Sequence, residues 1–423
     1  MKLVVQKSRL SGFVRIPGSK SHTIRAAAIA SLAEGKSSLR EALVASDTIA
    51  AFDAYRMLGA QAVDEGHVLI NGVAGRPNTP DNVIDVGNSG TTLYIAMGSA
   101  ALADGYTVFT GDDQIRRRPA QALIDALNGL GAEVNSTRGN GMAPIIVRGP
   151  LRGGKITIDS SQTSQYLTSL LINCPLASDE TTIDVINLTE KPYIEMTLKW
   201  LEDQQIEVEN EDFRRFRIPG GQKYKAFDTA IPADWSSATF FMCAAAITGS
   251  DLTLLGVDIN DSQGDKAVAG MLGAMGAAVE PVAEGIRIVG GPLQGRSFDL
   301  ADTPDALPAL AVAGCFAKSE TRLFNVAQAR LKETDRIAMM CHELTKMGAD
   351  IEEMPDGLII RKSELKGAEL HGHADHRIIM ALGVAGLAVE NTTVIDTADA
   401  LGVTFPEFQT LMNSVGAEMS IID

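Results

Sequence analysis

The sequence predicts an α/β protein: a two-domain inside-out α/β barrel in which buried helices are surrounded by outer sheets. Three observations support this fold class. A helix–Gly–Ala–strand turn recurs along the chain, a nearly uncharged helix precedes each turn, and short strand patterns flank both helices. We therefore expect six βαβαββ repeats of roughly 70 residues each, because self-similarity at a fixed period is typical of repeat architectures.

The recurring turn sets the period. In five copies, glycine followed by alanine is expected to end an amphipathic helix as its C-cap and to lead into a strand. These glycines are Gly59, Gly131, Gly276, Gly348 and Gly416. A degenerate sixth copy is expected where Trp200-Leu201 leads to residues 206–208.

Upstream of each turn the sequence predicts a second helix that is apolar on nearly every side. A helix of this kind is buried. The six predicted helices span residues 21–32, 89–102, 164–176, 236–247, 304–316 and 375–389.

Three repeats are expected in each domain, with residues 19–230 forming the first lobe and residues 1–18 plus 231–423 forming the second. Residues 3–16 are expected to form the first strand.

Composition restricts the function classes. The net charge of −16 argues against nucleic acid or an anionic membrane as a partner. No signal peptide is evident at the start, and apolar runs are interrupted before they reach membrane-spanning length. The four cysteines show no metal-ligand spacing, so we expect reduced thiols, no metal site and a cytoplasmic protein.

Polar residues collect at the predicted helix starts. Hydroxyls and Asp at such positions are usually N-caps, and a charge cluster is usually a solvated helix start. The P-loop spacing is absent, which argues against nucleotide hydrolysis. Taken together, however, these starts carry six cations that would face inward: Lys20, Arg25, Arg118, Lys332, Arg336 and Arg377. This pattern predicts a cleft for substrates that carry phosphates and carboxylates.

One stretch combines cations with a carboxylate. Residues 332–336 (Lys-Glu-Thr-Asp-Arg) precede an amphipathic run, so Lys332, Glu333 and Arg336 are expected in the first turns of one helix. Glu333 and Asp305 are the carboxylates that we expect to serve as acid and base.

The ordered motifs also resemble a known family over the whole chain. They are Pro17-Gly18-Ser19-Lys20-Ser21 with Arg25, Gly87-Asn88-Ser89-Gly90-Thr91, Arg118-Pro119, Ser164-Gln165-Tyr166-Leu167-Thr168, Lys191-Pro192-Tyr193, Lys332-Glu333-Thr334-Asp335-Arg336 and Asp375-His376-Arg377. The sequence resembles the 5-enolpyruvylshikimate-3-phosphate synthase family. The resemblance implies transfer of the enolpyruvyl group of phosphoenolpyruvate to the 5-hydroxyl of shikimate 3-phosphate, with release of phosphate, in the shikimate pathway to chorismate and the aromatic amino acids. It also implies two halves that close on the substrates.

The resemblance further implies the site residues. Shikimate 3-phosphate would be held by Lys20, Ser21, Arg25, Thr163, Ser164, Tyr193, Asp305, Gln328 and Lys332. Phosphoenolpyruvate would be held by Lys20, Gly90, Arg118, Gln165, Arg336 and Arg377. Proton transfers would fall to Lys20, Asp305 and Glu333. No cofactor is implied, the substrates are the expected small-molecule partners, and a monomer is expected.

Some positions depart from the pattern of the family. Tyr94 stands where an arginine is common, Gln328 replaces an asparagine, and Glu190 stands where a phosphate-binding serine often lies. A carboxylate near that site would repel the phosphate unless it points away, and Thr189 is the neighbouring residue that offers a hydroxyl instead. Two alternative functions are an enolpyruvyl transferase that acts on UDP-N-acetylglucosamine and a non-catalytic anion-binding homologue.

Overall fold

Six four-stranded sheets surround the helices of the chain, in a computed structural model that describes residues 1–423. Within every sheet one pair of neighbouring strands is parallel and the other two pairs are antiparallel. Most strands alternate buried and exposed residues, which is typical of a sheet with one face on a core and the other in water. The predicted α/β fold class, with buried helices and outer sheets in six repeats, is confirmed.

One class of helices is buried along almost its whole length, because its residues are small or apolar on every side. These helices are α1 Lys20–Leu32, α3 Gly90–Ala100, α5 Gln165–Asn173, α7 Trp235–Thr248, α9 Leu307–Cys315 and α11 His376–Gly386. Four of the six lie within the predicted ranges, whereas α1 begins one residue early and α7 extends one residue past its range at each end.

The other class buries a single face. These helices are α2 Ser46–Met57, α4 Gln121–Gly129, α6 Lys191–Asp203, α8 Ala267–Met275, α10 Arg336–Lys346 and α12 Phe408–Ser414. Short 3-10 turns cover Ile115–Arg117, Cys174–Leu176, Gly264–Lys266, Pro304–Ala306, Ala327–Leu331 and Ala398–Val403.

The chain divides into two compact units. One comprises Met1–Pro17 with Pro232–Asp423, and the other comprises Gly18–Ile231. The predicted lobe boundaries lie one residue from these limits. Each unit has its own cluster of buried apolar side chains, and we propose that the two units are the two domains.

Three sheets belong to the unit Gly18–Ile231. In spatial order they are β14 Asp228–Ala230, β3 Lys36–Arg40, β5 Val68–Asn71 and β4 Gln61–Asp64; β6 Ile84–Asp85, β7 Tyr106–Thr110, β9 Ile145–Arg148 and β8 Glu133–Ser136; and β10 Gly154–Asp159, β11 Thr181–Ile186, β13 Arg215–Ile218 and β12 Glu209–Glu211.

The other three sheets belong to the unit formed by Met1–Pro17 and Pro232–Asp423. They are β2 Ser11–Arg15, β15 Asp251–Leu255, β17 Gly285–Val289 and β16 Ala278–Val282; β18 Ser297–Asp299, β19 Thr321–Phe324, β21 Gly357–Arg361 and β20 Asp350–Met354; and β22 Glu369–Leu370, β23 Thr393–Ile395, β1 Lys2–Gln6 and β24 Glu418–Ile422.

The start of the chain departs from the prediction. Residues 3–16 form two strands instead of one, because the chain turns between Gln6 and Ser11. Strand β1 pairs with β23 and β24, whereas β2 pairs in parallel with β15. Each strand therefore completes a repeat whose other strands lie far away in sequence.

The predicted glycine caps are present. Gly59, Gly131, Gly276, Gly348 and Gly416 all have φ between 97° and 115°, a conformation that side chains with a Cβ rarely adopt. In the degenerate copy the corresponding position is Gln205, with φ 59°.

The helix predicted to contain Lys332 and Glu333 begins later than expected. Helix α10 starts at Arg336, and Asp335 is its N-cap, accepting a hydrogen bond from the backbone N–H of Ala338 at 3.0 Å. Lys332 ends the preceding 3-10 turn. The prediction was wrong because an Asp that caps a helix stops the helix from extending backwards through it.

Candidate active site

Lys20 opens the first buried helix, as the sequence predicts, and it already has an anionic partner. Its Nζ lies 3.2 Å from Oδ2 of Asp47, whose side chain is almost fully buried. Ser19 caps the helix by accepting from the N–H of His22 at 3.5 Å. The lysine is therefore held at the positive end of α1 by a carboxylate that the sequence analysis did not include.

Arg25 joins three helices from inside the unit. Its guanidinium donates to Oγ1 of Thr197 at 2.9 Å, Oγ1 of Thr168 at 3.3 Å, and the carbonyls of Ser21 at 3.0 Å and Tyr193 at 3.1 Å. Burial lowers the pKa of Arg25 to about 10, although Tyr193 and Glu190 oppose that shift. The guanidinium still carries its charge at neutral pH. It fixes the first turn of α6, in which Tyr193 lies, against α1 and α5.

Three donors at the start of α5 meet on one carboxylate oxygen. Oε2 of Glu190 accepts from Ser164 Oγ at 2.9 Å, Ser164 N at 3.2 Å and Thr163 Oγ1 at 3.5 Å. The carboxylate therefore points towards these groups and not away from them. A buried carboxylate needs hydrogen-bond donors, and the start of α5 provides them.

Gly90 makes room for Arg118. A Cβ built on Gly90 would lie 2.4 Å from Nη1 of Arg118, well inside contact distance. Gly90 is the first residue of α3, and Arg118 ends the 3-10 turn before α4. The absence of a side chain at Gly90 therefore lets the guanidinium lie against a helix N-terminus.

Two tyrosines hold the segment that carries Arg118. The hydroxyls of Tyr94 and Tyr166 both donate to the carbonyl of Pro119, at 2.9 Å and 2.6 Å. Their rings pack edge to face with centroids 5.0 Å apart. Tyr94, which stands where the family often has arginine, is thus a core residue that positions Arg118 through Pro119.

Arg336 is the centre of the polar cluster in the other unit. The buried guanidinium contacts Glu333, and it lies 2.7 Å from Asp305 Oδ1 and 2.8 Å from Asp375 Oδ2. Burial alone would lower the pKa of Arg336, but the charges of Asp375, Glu333 and Asp305 outweigh it and raise that pKa. Arg377 lies 3.1 Å from the other oxygen of Asp305. Two guanidiniums thus face three carboxylates, and we call these five residues the Arg336 cluster.

A further buried acid lies beside this cluster. Asp265 is almost fully buried in the turn before α8, and it accepts from the hydroxyl of Ser236. Its Oδ1 has no hydrogen-bond partner. Burial and the negative charge of Asp305 raise the pKa of Asp265 to about 7, against the opposing effect of Arg377.

The remaining predicted residues occupy the edges of these clusters. Gln165 is the half-buried first residue of α5, and half-buried Lys332 precedes Glu333. Gln328 is buried and donates to the carbonyl of Ala301 at 3.0 Å. No group of three or more His, Cys, Asp or Glu side chains in the structure could hold a metal ion.

The predicted residues are divided between the two units. The unit Gly18–Ile231 holds Lys20, Ser21, Arg25, Gly90, Arg118, Thr163, Ser164, Gln165 and Tyr193, and the other unit holds Asp305, Gln328, Lys332, Glu333, Arg336 and Arg377. Sequence reasoning missed the partners Asp47, Asp375, Asp265, Tyr94 and Tyr166. Asp47 and Asp375 could have been found as acids at predicted helix starts, whereas the roles of the tyrosines depend on tertiary packing that leaves no local pattern.

Comparison with known proteins agrees with the fold and identifies named relatives. Two solved structures of EPSP synthase from Acinetobacter baumannii match the fold. One has a TM-score of 0.82 at 29% identity, covering 99% of this chain and 100% of that chain, and the other has a TM-score of 0.83 at 28% identity with full coverage of both. Relatives named 3-phosphoshikimate 1-carboxyvinyltransferase include one from Acetivibrio thermocellus, 53% identical over 99% of both chains, and one from Ruminiclostridium cellulolyticum, 50% identical over the full length of both.

These matches define a transferase with a two-unit repeat fold. The family model described as EPSP synthase (3-phosphoshikimate 1-carboxyvinyltransferase) matches residues 4–412. The chain belongs to the EPSP synthase family, and it is an enzyme of enolpyruvyl transfer in the shikimate pathway. The match favours this function over the two alternatives that the sequence left open.

Proposed function

We propose that the two sets of polar residues bind shikimate 3-phosphate and phosphoenolpyruvate in the roles that the family resemblance implies. Shikimate 3-phosphate takes Lys20, Ser21, Arg25, Thr163, Ser164, Tyr193, Asp305, Gln328 and Lys332. Phosphoenolpyruvate takes Lys20, Gly90, Arg118, Gln165, Arg336 and Arg377. The support for this assignment is that Lys20, Arg336 and Arg377 lie in the first turns of helices and that Arg118 lies against the start of α3, where an incoming phosphate or carboxylate finds charge-assisted donors.

The Arg336 cluster carries the proposed chemistry. Addition to the enolpyruvyl group needs a proton delivered to the methylene carbon and a proton removed from the attacking hydroxyl. Collapse of the resulting intermediate then returns the carbon proton while phosphate leaves. Asp305 and Glu333 share one guanidinium with Asp375, so three carboxylates meet two arginines. Both acids therefore lie beside cations in one cluster, which suits an acid–base pair assisted by Lys20.

We also propose that the enzyme is a monomer in the cytoplasm and uses no metal or cofactor, as expected from the sequence. The net charge is −16, and all four cysteines are free thiols. Burial raises the pKa of the Cys174 thiol to about 12, so this residue stays protonated and unreactive. No helix has the length and apolar character needed to cross a membrane.

A phosphate-release assay tests the proposed reaction. With shikimate 3-phosphate and phosphoenolpyruvate together, the enzyme should release one phosphate for each enolpyruvyl product. Replacing the acceptor with UDP-N-acetylglucosamine should give no release. Release only with the sugar nucleotide would contradict the assignment of the acceptor, and no release with either acceptor would point to a non-catalytic homologue.

A further inference from the structure

Glu190 occupies an unusual position for a residue that precedes a helix. It immediately precedes α6, where an acidic side chain normally caps its own helix, yet it makes no such cap. Its backbone is left-handed, with φ 57° and ψ 43°. Side chains with a Cβ rarely adopt that conformation. The residue is 1% exposed, so its carboxylate lies inside the protein.

The Glu190 side chain is directed to the start of a different helix. The two hydroxyls and the backbone N–H that it engages, from Thr163 and Ser164, all meet Oε2. Arg25 supplies a nearby positive charge, and its guanidinium interacts electrostatically with the Glu190 carboxylate. Hydroxyls, a backbone N–H and an arginine at a helix N-terminus are the groups that proteins use to bind phosphate.

We propose that Glu190 is an internal anion that competes with the phosphate of the substrate for Thr163 and Ser164, and so sets how strongly the enzyme selects a phosphorylated acceptor. The inference rests on the proposed function, in which those two residues hold the phosphate of shikimate 3-phosphate. Two anions repel when they share the same donors, so the carboxylate must give up its contacts as the phosphate arrives. Part of the binding free energy of the phosphate is consumed by that exchange.

Isothermal titration of shikimate 3-phosphate into the full-length enzyme tests the competition. Glu190→Gln keeps the size of the side chain and an acceptor oxygen but removes the charge. We expect it to bind shikimate 3-phosphate at least about tenfold more tightly than the parent, because a buried like charge is removed. Binding of shikimate, which lacks the phosphate, should change much less. Glu190→Asn is a second variant, since asparagine tolerates the left-handed conformation better than most residues.

The matched control is Glu195→Gln. It removes one negative charge from the same helix, but at an exposed position. It should bind both ligands as the parent does. Equal or weaker binding of shikimate 3-phosphate by both position-190 variants would overturn the inference, as would equal tightening in Glu195→Gln. Phosphate release by the parent separates the two claims: a parent that turns over while Glu190→Gln gains no affinity refutes the role of Glu190 alone, and a parent without turnover refutes the proposed function.

Discussion

Single residues at this site are held by charges that the chain itself supplies. Arg336 is 1% exposed and contacts three carboxylates, two of which lie on other elements. Leaving a buried guanidinium unpaired is costly, so the carboxylates are needed even before any catalytic role is considered. The sequence predicted Arg336, Asp305 and Glu333 as members of one site. It did not predict the ion pairs, because the partners are brought together only by tertiary packing.

Gly90 is expected to control phosphoenolpyruvate binding through Arg118. In Gly90→Ala the new Cβ displaces the flexible end of the arginine rather than the backbone, so folding should be nearly unaffected. We expect the KM for phosphoenolpyruvate to rise about tenfold or more, because a charge-assisted contact is weakened, while the affinity for shikimate 3-phosphate changes little. Steady-state kinetics with each substrate varied in turn measures both effects.

Gly270→Ala is the matched control, since a Cβ at Gly270 in α8 would contact nothing within 4 Å. That variant should retain both KM values. An unchanged KM for phosphoenolpyruvate in Gly90→Ala would show that the position of Arg118 does not matter for that substrate.

Asp265 should make stability depend on pH. Its pKa is raised on folding, so the folded protein binds this proton more tightly than the unfolded chain does. Its contribution to stability is full below the ordinary aspartate pKa of about 4 and is lost as the pH rises through the folded value of about 7. Asp265→Asn does not titrate. As the pH rises through this window, the free energy of unfolding of the variant should therefore increase relative to that of the parent, by no more than about 1.4 kcal/mol per pH unit.

Urea unfolding of both proteins at several pH values measures the difference. Ser236→Ala, which removes the hydrogen-bond donor but keeps the acid, should leave the pH-dependent part in place. A difference in unfolding free energy between Asp265→Asn and the parent that is constant from acid to neutral pH would contradict the assigned shift.

Among the elements, the helices could be predicted from the sequence, but the start of α10 could not. The six buried helices were predictable because their apolar composition leaves no solvent face. The start of α10 was misplaced by four residues, since Asp335 competes with the backbone for the first free N–H groups and ends the helix there. Residues 3–16 were misread as one strand because the turn after Gln6 carries no glycine or proline pair.

The degenerate sixth turn predicts a stabilising substitution. Gln205 adopts the left-handed conformation that glycine provides in the other five copies. Gln205→Gly should therefore raise the free energy of unfolding by about 1 kcal/mol, because the clash of the Cβ is removed. The side chain contributes only an exposed hydrogen bond from Lys225 at 3.1 Å. Gln205→Ala is the control: it loses that hydrogen bond but keeps the strain, so it should not be more stable than the parent. A Gly variant less stable than the Ala variant, measured by urea unfolding, would contradict this account.

At the scale of the whole molecule, the chain contains two hydrophobic cores with no shared residues. The repeat count predicted three repeats in each lobe. The pairing of β2 with β15, and of β14 with β3, was not predictable from the period. Strand pairing over such distances depends on tertiary packing alone.

Because the two cores share no residues, a cavity made in one core should destabilise only the unit that contains it. Leu127→Ala removes a fully buried side chain from the unit Gly18–Ile231, at an expected cost of roughly 2–5 kcal/mol. Hydrogen exchange should accelerate throughout that unit and remain unchanged in Pro232–Asp423. Leu310→Ala in the other core is the reciprocal control and should reverse the pattern. Equal acceleration in both units would show that they unfold as one body.

The turnover of Glu333→Gln tests whether Glu333 supplies a proton in the reaction. The substitution keeps size and hydrogen bonding next to Arg336 but cannot donate an acidic proton. Glu333→Asp retains an acid at shorter reach and should recover part of the rate. Glu353→Gln, which removes an exposed carboxylate paired with Arg330 at 2.8 Å, is the control for charge alone. We predict that turnover of Glu333→Gln falls by about 10²–10⁴-fold with little change in affinity for shikimate 3-phosphate. Turnover within about threefold of the parent would contradict the account and leave Glu333 as a residue that only neutralises its neighbours.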